Sequence, residues 1–282
     1  MRVKKVTTAL LLFLFITAAH ATGFLTPRGT ISQQQHKLFF DTIALMLIVV
    51  LPVIVMSLAF GFEFSKKNRR WPHTPEWSHN TLLECFWWGI PAIIILILSI
   101  ITWQQTHELD PYKEIVPGGE KEVIEAVALR WKWLFIYPKE NIASINEVYF
   151  PVGQQVEFHI TADAPMSAFS IPQLGGQIYA MAGMRTRQFL YTENEGIYDG
   201  LNTQLNGDGF SDMHFKAHVV SKQKFQSWVS NVKLTASPLG LETYKELYKP
   251  TIAAPVEHYA GIPEDFFMKI IMQYMEKDSW LH

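Results

Sequence analysis

The chain has 282 residues, a formal net charge of −2 and a hydrophobic fraction of 49%. That length suits one folded domain plus membrane segments, and so balanced a charge offers nothing to a nucleic acid or another polyanion. The single cysteine, Cys85, excludes an internal disulfide and any centre that needs two thiolates.

In chain order, residues 1–21 carry the marks of a cleaved secretory signal. Arg2, Lys4 and Lys5 form a basic start, an apolar core runs over 9–16, and Ala19-His20-Ala21 presents small residues to a signal peptidase. Residues 22–41 follow as an N-terminal extracytoplasmic segment. Residues 42–62 are apolar, free of charge and long enough to cross a bilayer, with Pro52 inside the run. Residues 83–104 form a second crossing. Trp87, Trp88 and Trp103 lie near its ends, where indoles favour the membrane interface. The loop between them, 63–82, holds Lys66, Lys67, Arg69 and Arg70. The positive-inside rule puts that loop in the cytoplasm and both mature termini outside.

Over 105–220 charges, prolines and glycines return, and four stretches read as strands: 125–137, 145–150, 155–161 and 187–192. The third is clearest, with Val156, Phe158 and Ile160 on one face and Gln155, Glu157 and His159 on the other. Gly153, Pro165, Pro172, Gly175-Gly176 and Gly207 mark turns. Short strands joined in this way predict a β-sandwich. The expected fold is therefore a membrane α-helical hairpin, an all-β sandwich, and C-terminal helices over 221–282. Ser221 caps one of those helices, carrying Phe225, Trp228 and Val229. Pro263 begins another, with Phe266, Phe267, Ile270, Ile271 and Tyr274 on its apolar side.

Two groups invite a chemical reading. His214 and His218 fall four apart on a strand, about 13 Å from one another, too far to share an ion. They read as a polar sheet face with Lys216 between them. Glu84 opens the second apolar run, where a carboxylate can collect protons at a membrane edge. Thr81 and Glu84 also have capping-box spacing, so a purely structural role stands beside the first.

The stretch 198–213 reads Y-D-G-L-N-T-Q-L-N-G-D-G-F-S-D-M. Its frame resembles the copper loop of cytochrome c oxidase subunit II, whose pattern is C-x-E-x-C-x-x-x-H-x-x-M after a Y-x-G turn. On that frame the thiolate positions hold Asn202 and Asn206, the glutamate position Gln204 and the imidazole position Phe210; only Met213 is kept. The family's other histidine corresponds to Ser167 in S-A-F-S-I-P-Q-L-G. A frame emptied in this way resembles subunit II of the bo-type quinol oxidases. The run A-L-R-W-K-W-L-F-I-Y-P, with Trp131, Trp133, Phe135 and Tyr137, matches the family's aromatic segment and is read as packing. The segment Q-L-G-G-Q-I-Y-A-M-A-G-M-R-T-R, 173–187, is similar too, and is expected to face the large subunit. Met181 and Met184 within it are not read as metal ligands.

The resemblance implies a cupredoxin-like sandwich that holds no metal. Neutral amides at 202, 204 and 206 would tie the loop, and Phe210 would fill an imidazole's volume. It implies a bacterial inner-membrane protein with its large C-terminal domain in the periplasm. Subunit I would carry the haems and copper, with the smaller subunits III and IV as further partners. Ubiquinol would reach the complex through the lipid, with no role for cytochrome c and no cofactor in this chain. Glu84 would lie near a proton-uptake path into subunit I. Family members commonly carry a lipidated cysteine just after the signal, whereas the first cysteine here is Cys85. Two rival readings are a copper-bearing subunit II and a membrane-tethered sandwich acting alone as a binding or assembly module.

Overall fold

The structure is a computed structural model that describes residues 23–64 and 79–275. The expected signal over 1–21 and the four basic residues of the loop lie outside the described residues. The chain divides into two units, one of residues 37–110 and the other of residues 23–36 together with 111–275.

The first unit holds α1 (Thr30–Glu63, 34 residues) from residue 37 onward and α2 (Thr81–Glu108, 28 residues). At 1.5 Å per residue both exceed the roughly 30 Å of a bilayer's hydrocarbon core. Their apolar side chains have no protein core to enter: Val55, Leu58, Ile95 and Leu96 are all exposed. Helices that are apolar all round suit lipid rather than water. α1 begins at Thr30 rather than at residue 42, because the glutamines and lysine of S-Q-Q-Q-H-K are good helix formers and extend it.

The second unit is built on twelve strands. They are β1 (Lys121–Leu129), β2 (Lys132–Tyr137), β3 (Ile142–Ile145), β4 (Glu147–Pro151), β5 (Gln155–Ala162), β6 (Ser167–Ser170), β7 (Gln177–Ala180), β8 (Thr186–Leu190), β9 (Gly196–Asn202), β10 (His214–Val220), β11 (Ser237–Pro238) and β12 (Glu257–Ala260). A seven-stranded sheet runs β11-β12-β3-β2-β1-β5-β8, and a five-stranded sheet runs β4-β10-β9-β6-β7. β1 and β5 pair in parallel, Glu122 opposite Val156. The inner core is largely aromatic: Trp133, Phe135, Phe158, Phe169 and Phe215 meet there. Phe169 stacks on Phe215 with ring centroids 5.2 Å apart.

β2 is buried at every position. Alternate residues of a strand face opposite ways, so full burial means that both faces are covered. Trp133, Phe135 and Tyr137 enter the inter-sheet core. Leu134 and Ile136 enter a second core with Tyr244, Leu247, Phe266, Phe267, Ile270 and Ile271. The C-terminal segment is thus a third layer over the outer face of the larger sheet. It includes α4 (Leu241–Tyr248) and α5 (Phe266–Met272), after α3 (Lys222–Thr235) has sent Phe225, Val229 and Val232 to the inner core.

Several expectations are corrected. The stretch 125–137 is not one strand but a hairpin, turned at Arg130-Trp131, with Trp131 at φ 66°. A non-glycine residue in that region is uncommon, and no glycine or proline announces the turn. The strand expected over 145–150 breaks at Asn146 (φ 55°), where the chain leaves one sheet for the other. Asn146 satisfies this corner itself: its Oδ1 accepts from Trp133 N (2.9 Å) and its Nδ2 donates to Ala254 O (2.9 Å). The tail is not wholly helical, since β11 and β12 join the larger sheet. Pro263 does not open its last helix; Asp265, at φ 55°, does. Ser221 caps α3 as expected, accepting from Lys224 N.

Candidate functional site: an amide-tied loop

The loop after β9 is held by side-chain amides. Asn202 ends β9 and is buried, with 3% of its surface exposed. Its Oδ1 accepts from Ala168 N (2.8 Å) and Gln204 N (3.1 Å), and its Nδ2 donates to Gln204 O (2.8 Å). One side chain thereby joins β6 to the loop and closes an Asx-type turn. Asn206 Nδ2 donates to Ser167 Oγ (3.0 Å) and to Met213 Sδ (3.4 Å). Ser167 is fully buried and donates onward to Pro165 O (3.2 Å). Met213 is fully buried as well, and its carbonyl accepts from Asn202 N (3.1 Å).

The structure therefore brings Ser167 and Met213 to the one Asn206 amide, with Asn202 alongside. Gln204 joins through its backbone rather than its side chain. Phe210, half-buried, begins a 3-10 turn (Phe210–Asp212). Trp131 covers the loop. Its Nε1 donates to Asn206 O (3.3 Å), and its ring lies so close to Gly209 that a Cβ there would sit 2.5 Å from it. Sequence reasoning read Trp131 as a strand residue; its left-handed turn is what swings the indole onto the loop.

These residues were tested against the copper centre of the wider family. Two carbonyl-bearing amides, a hydroxyl and one thioether supply no thiolate and no imidazole, and copper relay sites need the thiolate. The donor set does not fit copper. Cys85 lies in α2, in the other unit. Among the described residues no group of three or more His, Cys, Asp or Glu is placed to hold a metal ion. His214 is exposed, whereas His218 Nε2 donates to Glu147 Oε1 (2.9 Å) and its ring stacks on Tyr149, with ring centroids 4.3 Å apart. Burial holds the His218 pKa below its ordinary value, against the pull of Glu147.

Glu84 lies in the first turn of α2. The cap of that helix is Asn80, whose Oδ1 accepts from Leu83 N (3.2 Å), so the expected Thr81–Glu84 capping box does not form. Glu84 turns to His79, Nδ1 to Oε1 at 2.5 Å, and His79 Nε2 meets Thr81 Oγ1 at 3.1 Å.

The segment 173–187, expected to face a large subunit, has a second occupation at its start. Arg28 N and Gly29 N both donate to Gln173 O (2.8 and 2.9 Å), and the buried Ser32 Oγ donates to the same carbonyl (2.6 Å). A Cβ on Gly29 would lie 2.3 Å from Leu174 O. The chain just before α1 is thus strapped to the sandwich.

Two family models match the chain: "Cytochrome C oxidase subunit II, transmembrane domain" over residues 20–104 and "COX Aromatic Rich Motif" over residues 233–278. Subunit 2 of the cytochrome bo(3) ubiquinol oxidase of Pseudomonas aeruginosa is 43% identical over 248 residues, covering 88% of this chain and 75% of that one. Ubiquinol oxidase subunit 2 of Acetobacter aceti is 39% identical over 89% of this chain and 82% of its own. Among solved structures, the periplasmic domain of subunit II of cytochrome oxidase from Bradyrhizobium japonicum aligns with 42% of this chain and 96% of its own, at 24% identity and a TM-score of 0.39. Two apolar helices matched by the family's transmembrane model make this a membrane-anchored protein with a large C-terminal domain. On the strength of these identities and their coverage, the chain belongs to the subunit II family of bo-type haem–copper quinol oxidases.

Proposed function

We propose that this chain is the non-catalytic subunit II of a proton-pumping ubiquinol oxidase. In the complex, quinol is oxidised and oxygen is reduced to water. The observation that carries this reading is the meeting of Ser167 and Met213 at the Asn206 amide, with Asn202 beside it, at the positions where the copper-bearing pattern calls for ligands. Those positions, with Gln204 and Phe210, are read as a vacated copper site. The logic is one of electron delivery. A water-soluble donor must hand electrons in from outside the membrane, through a relay on the outer domain. A quinol arrives through the lipid, so the relay has no task. The haems and copper then belong to subunit I, subunits III and IV complete the complex, and the sandwich stands in the periplasm of a bacterial inner membrane.

Within this reading the chain scaffolds the large subunit, and Glu84 with its exposed carboxylate supplies protons at the cytoplasmic edge. Steady-state oxygen uptake by the purified complex tests both parts. Turnover with ubiquinol and none with reduced cytochrome c is expected, and Glu84→Gln is expected to slow the quinol reaction severalfold. Turnover with cytochrome c would refute the first part. An unaltered rate in Glu84→Gln would leave that residue a helix-end charge.

A further inference from the structure

A charged cleft lies under α3, remote from the loop described above. It encloses about 420 Å³, lined by Glu120, Glu122, Lys139 and Glu140 on one side and by Lys222, Phe225, Val229 and Lys233 of α3 on the other. Glu122, on β1, has only 3% of its surface exposed. Its Oε1 is buried without a hydrogen-bond partner, and so is Glu140 Oε2. The two carboxyl groups stand within hydrogen-bonding reach of one another.

Two buried acceptors facing one another without a donor are costly. Ionised carboxylates can only accept, and like charges so close repel. A proton on one of them resolves both problems, because a carboxylic acid donates to its neighbour. None of the three lysines does so: Lys222 is turned to Glu120 (3.1 Å), and no donor of Lys139 or Lys233 reaches the two orphaned oxygens. The remaining titratable neighbour is Tyr137, whose hydroxyl is engaged with the Tyr149 backbone (2.7 and 3.0 Å).

We propose that Glu122 keeps a proton beneath α3, donated towards the Glu140 carboxylate, and that loss of this proton loosens α3 from the sandwich. The proton is the ligand of this site. When it leaves, two negative charges face the apolar residues Phe225 and Val229, and water must enter to solvate them. α3 is the wall that can yield.

Burial, with the Glu140 charge adding to it, pushes the Glu122 pKa from its ordinary 4.5 up to about 7. A folded-state pKa above the unfolded one means that the folded chain holds the proton more tightly. The stabilisation is complete below the ordinary value and is lost as pH rises through about 7.

Hydrogen exchange of the whole complex, followed by mass spectrometry, tests this. The α3 amides are compared with those of β6, a strand none of whose residues line the cleft, between about pH 5.5 and about pH 8.5. Relative to β6, exchange in α3 is expected to quicken roughly thirtyfold across that range, because about one and a half pKa units of linkage lie between pH 5.5 and the folded value of about 7. Glu122→Gln, whose amide donates as the acid does, is expected to keep α3 protected throughout. Glu140→Gln, which removes the like charge, is expected to move the transition to lower pH and covers the case in which the first variant fails to fold. A flat wild-type profile would overturn the proposal. So would a rise in Glu122→Gln equal to that of the wild type, or an unmoved midpoint in Glu140→Gln.

Discussion

Asn202 organises its loop much as a bound metal would. A metal holds a loop by drawing several ligands to one point. Asn202 does the same with an acceptor shared by two backbone amides and a donor to a carbonyl, all inside the protein. Asn202→Ala would strand the buried Ala168 N–H and free the turn. The expected cost is about 3 kcal/mol, the sum of an orphaned buried donor and a lost bond. It should appear as a lowered midpoint in thermal unfolding of the complex; an unchanged midpoint would mean that the loop is held by something else. Asn206 is a looser member, since its Oδ1 is buried without a partner. The identities of these residues were legible in the sequence, on the family frame. Their division of labour was not: nothing in N-T-Q-L-N tells which amide bonds with its side chain and which with its backbone. Trp131 was harder still, because its role depends on a positive φ that no glycine or asparagine signals.

At the scale of elements, the tail is the least expected feature. Its aromatic spacing announced two helices, which α3 and α5 answer to; among the described residues α4 is a third that was not foreseen. What spacing could not announce is the docking. Asp163, only 1% exposed, lies just past the end of β5 and accepts from the hydroxyls of Tyr244 and Tyr274 and from Gln273 Nε2 (2.8 Å). Lys132 adds a second tie, donating to Lys249 O (3.1 Å) and Thr251 Oγ1 (2.9 Å). These partners are separated by up to 119 residues in the case of Lys132 and Thr251, a distance that local pattern cannot bridge. Asp163→Ala leaves Tyr244 and Gln273 without their acceptor inside the core. We expect about 3–5 kcal/mol of destabilisation, as for removing one partner of a buried charged cluster. Limited proteolysis of the complex should then cut the tail after α3 while the sandwich persists; a resistant tail would show that apolar packing alone holds it. By contrast β5 was legible outright, because its alternation of apolar and polar residues is what a strand with two unlike faces requires. The corner at Asn146 was missed because a run of apolar residues conceals a change of sheet.

The whole molecule has two apolar helices of membrane-crossing length and a three-layered domain whose loop after β9 is tied by polar side chains. The two apolar runs were legible because lipid imposes a long uninterrupted pattern that few soluble folds need. Their ends were less so: the polar start of α1 and the Asn80 cap of α2 lie beyond the apolar run, and an apolar pattern marks only where lipid begins. The central claim is that the outer domain serves an oxidase without carrying electrons. Electron paramagnetic resonance of the oxidised, purified complex tests it most directly, with copper added in a second sample. The account predicts no thiolate-copper signal in either sample and full turnover with ubiquinol. A thiolate-copper signal assigned to this chain, lost on substitution of Asn206 or Met213, would contradict it.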